Sequence, residues 1–258
     1  MPYSLKGRNV LVTGGSRGLG ELICLKFAEQ GCNVMINYNS SADRAEGVAK
    51  KVEQDYGMKA FTVQGVRGLE KDCVRVVQES ISKLGGLDII VSNAGHTRFS
   101  NFGDLNDSTV EDWDLCYAVN VKAHVFLMRE ALATFNSNQD GGVFIITSSI
   151  AGRIPASLPP GGSSMPYAVT KAAQLHLMRC LASTQGPKVR VNAVLPGFLR
   201  TEWGDRYGQE RIKDMREKAY LKQDTDLDDA AQAFIDITRN TSMTGQRIQV
   251  DSGLGQND

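Results

Sequence analysis

The sequence predicts a single α/β domain: a doubly wound parallel sheet of about seven strands with helices on both faces. Three observations predict it. Short, nearly uninterrupted apolar runs alternate with longer amphipathic stretches, the pattern of strands buried on both faces and the helices that cover them. A glycine-rich turn, Thr13-Gly14-Gly15-Ser16-Arg17-Gly18-Leu19-Gly20, closes the first apolar run and opens the first helical stretch. The 258 residues, 41% of them hydrophobic, contain no linker, repeat or low-complexity tract that would divide them, which suits one large core.

The elements follow in order. Strands are expected from Asn9 to Thr13, Asn33 to Asn37, Phe61 to Gln64, Leu87 to Ser92, Val143 to Thr147, Val189 to Leu195 and Arg247 to Val250. Helices are expected from the glycine turn to Gln30, Asp43 to Tyr56, Leu69 to Leu84, Pro166 to Thr184, Glu210 to Tyr220 and Leu227 to Asn240. A further helical stretch runs from Val110 to Asn136, broken or bent near Asn120.

Charge and cysteine use narrow the partners. The formal net charge is +0 with a pI near 6.8, and no basic stripe or tail is present, so nucleic acid is not an expected partner. The five cysteines form no CxxC pair and no metal-ligand cluster. Cys24, Cys73, Cys116 and Cys180 lie in apolar helical patterns and read as small core hydrophobes, which fits a reducing, cytoplasmic compartment. The opening residues lack the apolar core of a signal peptide, and no apolar run is long enough to span a membrane.

Tyr167 and Lys171 stand at i and i+4, on one face of a helix. An ammonium about 4 Å from a phenol, at an effective dielectric near 20, favours phenolate by ~4 kcal/mol, or about three pKa units. Such a tyrosine works as a general acid or base near neutral pH. The glycines at 14, 18 and 20 follow a GxxxGxG spacing that permits a tight turn and close approach to a pyrophosphate at a helix N-terminus. Ser92-Asn93-Ala94-Gly95, Ser148-Ser149, and Pro196-Gly197 with Thr201 beyond, fall at carboxyl ends of strands, and Asn120 lies in a helix that reaches that edge. Open α/β sheets bind ligands there.

Taken together, TGGSRGLG, SNAG, the asparagine of VNV, SSIAG, YAVTK, PGFLRT and TGQRIQVDSG occur in the order found in the short-chain dehydrogenase/reductase family, which the chain resembles from about Lys6 to Gly253. The resemblance implies a Rossmann-type fold and named roles. Tyr167 exchanges a proton with the substrate oxygen, and Lys171 holds the nicotinamide ribose and lowers the Tyr167 pKa. Ser149, chosen over Ser148 because it directly precedes Ile-Ala-Gly, binds the substrate oxygen. Asn120 anchors a water in a proton relay to Lys171. Cofactor contacts are expected from Gly14, Ser16, Arg17, Gly18, Leu19, Asn93, Ala94, Gly95, Pro196, Gly197, Leu199 and Thr201. After the third strand, where the family has Asp-Val, this chain has Gly65-Val66, so an adenine contact is missing or replaced.

Cofactor choice has a physical basis. NAD binders place an acid after the second strand to hold the ribose 2′-hydroxyl. Here that segment is Asn37-Tyr38-Asn39-Ser40-Ser41, with no acid. The expected cofactor is NADP(H), with Arg17 and Ser40 on the 2′-phosphate and Asn37 and Tyr38 in the same segment. The expected reaction is reduction of a ketone or aldehyde, similar to that of the family's ketoreductases and 3-oxoacyl reductases. The alternatives are oxidation of a secondary alcohol, or a non-catalytic NADP-binding sensor or scaffold, against which the intact Asn120, Ser149, Tyr167 and Lys171 set argues.

Two further expectations concern size and assembly. Seventeen residues separate Ser149 from Tyr167, against roughly a dozen in the family pattern, so residues 153–165 read as an inserted loop over the pocket, with Ile154, Leu158 and Met165 apolar. A covering region at about 198–222 brings Phe198, Trp203 and Tyr207, with Phe99 and Phe102 as another wall, a rim that favours a bulky apolar carbonyl compound. His96 and Arg98 could touch substrate, but loop residues of this kind more commonly face solvent. The family resemblance implies a homotetramer or homodimer, with Val125, Phe126 and Met128 on one helix and Leu175, Leu177 and Met178 on another offering apolar surface.

Overall fold

The computed structural model describes residues 3–65, 68–154 and 163–254. Seven strands form one sheet: β1 Asn9–Val12, β2 Asn33–Tyr38, β3 Ala60–Gln64, β4 Ile89–Ser92, β5 Gly142–Thr147, β6 Val189–Pro196 and β7 Arg247–Val250. All are parallel, in the order β3-β2-β1-β4-β5-β6-β7. The chain builds outward from β1 to β3, then returns to the other side of β1 to lay down β4. The carboxyl ends of β1 and β4 therefore flank the switch point where a crevice opens.

The helices are α1 Gly18–Glu29, α2 Ala42–Tyr56, α3 Glu70–Leu84, α4 Val110–Tyr117, α5 Ala123–Ser137, α6 Met165–Gln185, α7 Gln209–Lys218 and α8 Leu227–Arg239. Alternation along each strand sorts the core into two layers. Val10, Val12, Val34, Ile36 and Val91 pack with Ile23 and Phe27 of α1, Val48 and Val52 of α2 and Phe234 of α8. Leu11, Met35, Ile90, Phe144 and Ile146 pack with Val76 and Val77 of α3, Leu127 and Phe135 of α5 and Met178 of α6. Both faces of the central strands β1, β4, β5 and β6 are thus buried, which is why they read as continuous apolar runs, while the edge strands β3 and β7 are partly exposed. Burying each such side chain contributes ~1.5–3 kcal/mol.

The expected break near Asn120 is a single π-helical turn, Ala118–Lys122, joining α4 to α5. A small third cluster of Ile150, Ile154, Phe198, Ile212, Ala219 and Leu254 packs the covering region against the turn after β5. Ile154 is thus an inward core residue rather than part of an overhang, and the heart of the expected inserted loop, 155–162, lies outside the described residues. Two other expectations change. Cys180 is exposed on α6, while Cys32, buried, joins the core with Cys24, Cys73 and Cys116. Met128, Leu175 and Met178 are buried within the subunit, leaving Val125 exposed and Phe126 and Leu177 half-buried, because the sheet claims the inner stripe of α5 and α6. Among the described residues, no helix is long and apolar enough to cross a membrane, and no cluster of His, Cys, Asp and Glu is arranged to hold a metal.

Candidate functional site

The turn after β1 closes on itself. Gly14 has φ +64°, and a Cβ there would stand 3.2 Å from the Ala94 Cα. A Cβ on Gly20 would stand 2.1 Å from the Gly14 carbonyl oxygen, so only glycine lets the start of α1 press against the turn. Arg17 takes the N-cap position in extended backbone and makes no side-chain cap, which leaves the first N–H groups of α1 suited to an anion. Across the crevice, the Thr13 hydroxyl accepts from the Asn93 and Ala94 amides at 2.9 and 3.0 Å, and the Asn93 side-chain amide donates to the Thr13 carbonyl at 3.0 Å. These bonds lock Asn93-Ala94-Gly95 to the glycine turn.

Tyr167 and Lys171 lie in the first turns of α6. Ser164 caps that helix, accepting from the Tyr167 amide at 3.3 Å, and its hydroxyl also pairs with Thr97 at 3.0 Å. The 3-10 turn Ile150–Gly152 is pressed against α6 through Gly152, where a Cβ would stand 2.5 Å from the Lys171 carbonyl carbon. That contact sets Ser149, in extended backbone at the start of the turn, beside the Tyr167 phenol. Ser148 is turned away: it is buried, and its hydroxyl donates to the Lys171 carbonyl at 3.0 Å. Lys171 is buried too, its Nζ donating to the Thr147 carbonyl at 2.8 Å and standing 5.3 Å from the centre of the Tyr167 ring.

The electrostatics run opposite to the expected lowering of the Tyr167 pKa. Burial pushes the phenol up, the neighbouring Tyr207 adds to this, and the Ser149 hydroxyl offsets only part of it. Burial also draws Lys171 down to about 7. The expectation took Lys171 as fully charged; desolvation acts on that charge first. Tyr167 is accordingly a protonated phenol beside an amine that titrates near neutrality.

Asn120, fully buried, ties three segments together. Its Oδ1 accepts from the His96 amide at 2.8 Å, and its Nδ2 donates to the His96 carbonyl and to the Thr170 hydroxyl, both at 3.0 Å. The π turn displaces its backbone carbonyl from regular helical bonding, and Gln174 Nε2 donates to that oxygen at 2.5 Å. The same nitrogen meets His124 Nε2 at 2.9 Å, while His124 Nδ1 meets the Ser92 hydroxyl at 2.7 Å. With the Gln174 amide as donor, His124 Nε2 accepts and Nδ1–H donates to Ser92. A Cβ on Gly95 would stand 3.7 Å from both Asn120 Oδ1 and Lys171 Nζ, which makes Gly95 the floor between them.

The remaining predicted contacts fall around this crevice. Pro196 ends β6, and Gly197 follows where a Cβ would stand 2.5 Å from the Thr225 hydroxyl. Leu199 bridges to Thr225, and the Thr201 hydroxyl accepts from the Gly204 amide at 3.2 Å while its methyl faces Gly18. Ser16 is buried and Leu19 half-buried in the first turn; Tyr38 is half-buried and Ser40 exposed at the end of β2. Asn37 is committed to the fold: its amide donates to the Val63 and Gly65 carbonyls at 3.2 and 3.1 Å. Gly65 has no room for a side chain, since a Cβ would stand 2.3 Å from Val76, and Val66 lies outside the described residues. Above Tyr167, Trp203 lies 6.0 Å ring to ring, and Tyr207 packs edge-on against Phe99 at 4.9 Å. Arg98 faces solvent while paired with Asp112 at 2.7 Å and with Asp107.

The short chain dehydrogenase profile matches residues 8–211. The chain belongs to the short chain dehydrogenase family. It is 33% identical over 245 residues, 94% of each chain, to a granaticin polyketide synthase putative ketoacyl reductase of Streptomyces violaceoruber. It is 31% identical to the 3-oxoacyl-[acyl-carrier-protein] reductase of Staphylococcus aureus, over 96% of this chain and 98% of that one. A short chain dehydrogenase of Burkholderia cenocepacia, solved in complex with NADP, superposes with a TM-score of 0.87 at 32% identity, covering 98% and 99% of the two chains. Around this crevice, the sequence did not reveal Thr13 as the lock on Asn93, the His124–Gln174 pair behind Asn120, or an ion cluster of Arg17, Arg44 and Glu202. The residue types were visible, but their meeting depends on helix packing that no local spacing encodes.

Proposed function

We propose that this oxidoreductase is an NADPH-dependent reductase of a bulky, apolar ketone or aldehyde, with Tyr167 as general acid. The observation that carries the reading is the protonated Tyr167 phenol beside Ser149 and Lys171, under an aromatic cover at the carboxyl edge of the sheet. The residues fit a dinucleotide: Gly14 and Gly20 let the turn close where a side chain would strike Ala94 or the turn's own backbone, and α1 begins without a side-chain cap, leaving its first N–H groups for a pyrophosphate. NADP(H) rather than NAD(H) is supported by Arg17 and by the acid-free segment after β2, and by the NADP in the Burkholderia relative.

When bound, the dinucleotide supplies a hydride to the carbonyl carbon. Ser149 donates to the substrate oxygen and orients it. Tyr167 passes its proton to that oxygen as negative charge develops there. Lys171, when protonated, stabilises the phenolate left behind. Asn120 fixes the His96 backbone beside the Gly95 floor. Trp203, Tyr207 and Phe99 provide apolar contact for a large substrate. The reading includes cytoplasmic action, in keeping with five free cysteines, and a homotetramer or homodimer, in keeping with Val125 and Val169 exposed on α5 and α6.

The test is an NADPH-consumption screen over ketones, acyl thioesters and polycyclic carbonyls, followed by Tyr167→Phe on the best substrate. Turnover should fall at least ~100-fold while NADPH binding stays nearly intact. Unchanged turnover would remove Tyr167 from the chemistry.

A further inference from the structure

Glu202 sits between Thr201 and Trp203, in the segment that covers Tyr167. Its carboxylate bridges two guanidinium groups from separate elements. Oε2 accepts from Arg17 in the glycine turn at 3.0 Å, and Oε1 accepts from Arg44 in the first turn of α2 at 2.5 Å. Both arginines keep Glu202 below the usual carboxylate range, so it is an anion at neutral pH. All three side chains are at least half exposed, at 50–58%, and each such pair contributes only ~0–1 kcal/mol. The cluster is therefore easily opened. It lies between the glycine turn and the end of β2, where a dinucleotide's adenosine ribose rests on this fold.

Two forked cations converging on one anion suit a phosphate better than a carboxylate. A phosphate monoester brings about two negative charges and three acceptor oxygens, where Glu202 brings one charge and two oxygens. The two anions repel each other and cannot share the same pair of arginines.

We infer that Glu202 holds the place of the cofactor's 2′-phosphate between Arg17 and Arg44, and that NADPH exchanges phosphate for carboxylate and so unlatches the covering segment 202–207. This rests on the NADP(H) reading above. Arg44 thereby joins Arg17 as a 2′-phosphate ligand. A dinucleotide with a neutral 2′-hydroxyl leaves the latch closed, so cofactor identity is transmitted to the segment that carries Trp203 and Tyr207.

Titration calorimetry of the full chain with adenosine 2′,5′-bisphosphate and with adenosine 5′-monophosphate tests this. Glu202→Gln should tighten the bisphosphate about tenfold, and Arg44→Gln should weaken it about tenfold, with the monophosphate changed by less than about twofold in each. Hydrogen exchange across 202–207 should rise with the bisphosphate and not with the monophosphate in the wild type, and should already be high in Glu202→Gln. If the wild type binds both nucleotides equally, the NADP(H) reading itself fails. If the wild type prefers the bisphosphate but Glu202→Gln does not tighten it, or exchange across 202–207 does not respond, the latch is overturned and the cofactor reading stands.

Discussion

In the proposed reduction, Lys171 is the residue whose charge decides how well Tyr167 gives up its proton. Burial sets the amine near 7, within the range where an enzyme works. Under that proposal, below this value the ammonium would stabilise the phenolate left by Tyr167; above it the amine is neutral and that help would be lost. The kcat/KM for NADPH in carbonyl reduction, which reports the free enzyme, should therefore fall as pH rises through about 7. A flat profile from pH 6 to 9 would show that Lys171 keeps its charge throughout. The Tyr/Lys pairing was legible because i and i+4 share a helix face. The environment was not: a dielectric guessed at a surface value hides how far burial suppresses the ammonium. Arg44 and Glu202 lie 158 residues apart, and neither stands in a motif, so only the fold brings them together.

At the scale of elements, the π turn between α4 and α5 is the feature that most depends on a distant partner. The interruption near Asn120 was legible in the sequence. Its stabilisation was not, because Gln174 comes from α6, 54 residues on. Gln174→Leu keeps similar volume but leaves the Asn120 carbonyl and His124 Nε2 buried without their partner. The expected cost is about 1–3 kcal/mol in urea unfolding, the penalty for stranded buried polar groups. Because Asn120 would shift relative to His96 and Gly95, kcat should also fall by more than KM rises. A loss under ~0.5 kcal/mol with unchanged kcat would mean that the turn holds itself. The strands and most helices matched their expected ranges within a few residues, since apolar period and glycine ends are local signals. The inner and outer faces of α5 and α6 were harder. Met128 and Met178 look the same as Val125 in a sequence, and only packing on the sheet separates them.

Over the whole molecule, strand number and parallel pairing were readable, while the order of strands came only with the fold, since the crossover from β3 back to β4 leaves no mark in composition. That crossover brings His124 of α5 against Ser92 of β4, Gln174 of α6 and the edge of Phe144 in β5, so one buried imidazole joins four elements of the second core layer. Burial and the nearby Lys171 draw its pKa down to about 3. An unfolded histidine titrates near 6.5. Between those values the unfolded chain binds a proton that the folded chain refuses, so stability rises with pH across this window and is lost as pH falls through it. The loss approaches ~1.4 kcal/mol per pH unit below about 6. Carboxylates held low by arginines, such as Asp224, also lose stability in acid, but only as pH falls below the ordinary carboxylate range, so the two effects separate. Urea midpoints of the wild type measured from pH 7 down to pH 4.5 should drop steeply. In His124→Asn, which keeps a short polar group but no titrating ring, the slope over the same range should flatten, whatever its absolute stability. Parallel slopes in the two proteins would show that the proton uptake driving acid unfolding lies at some other group.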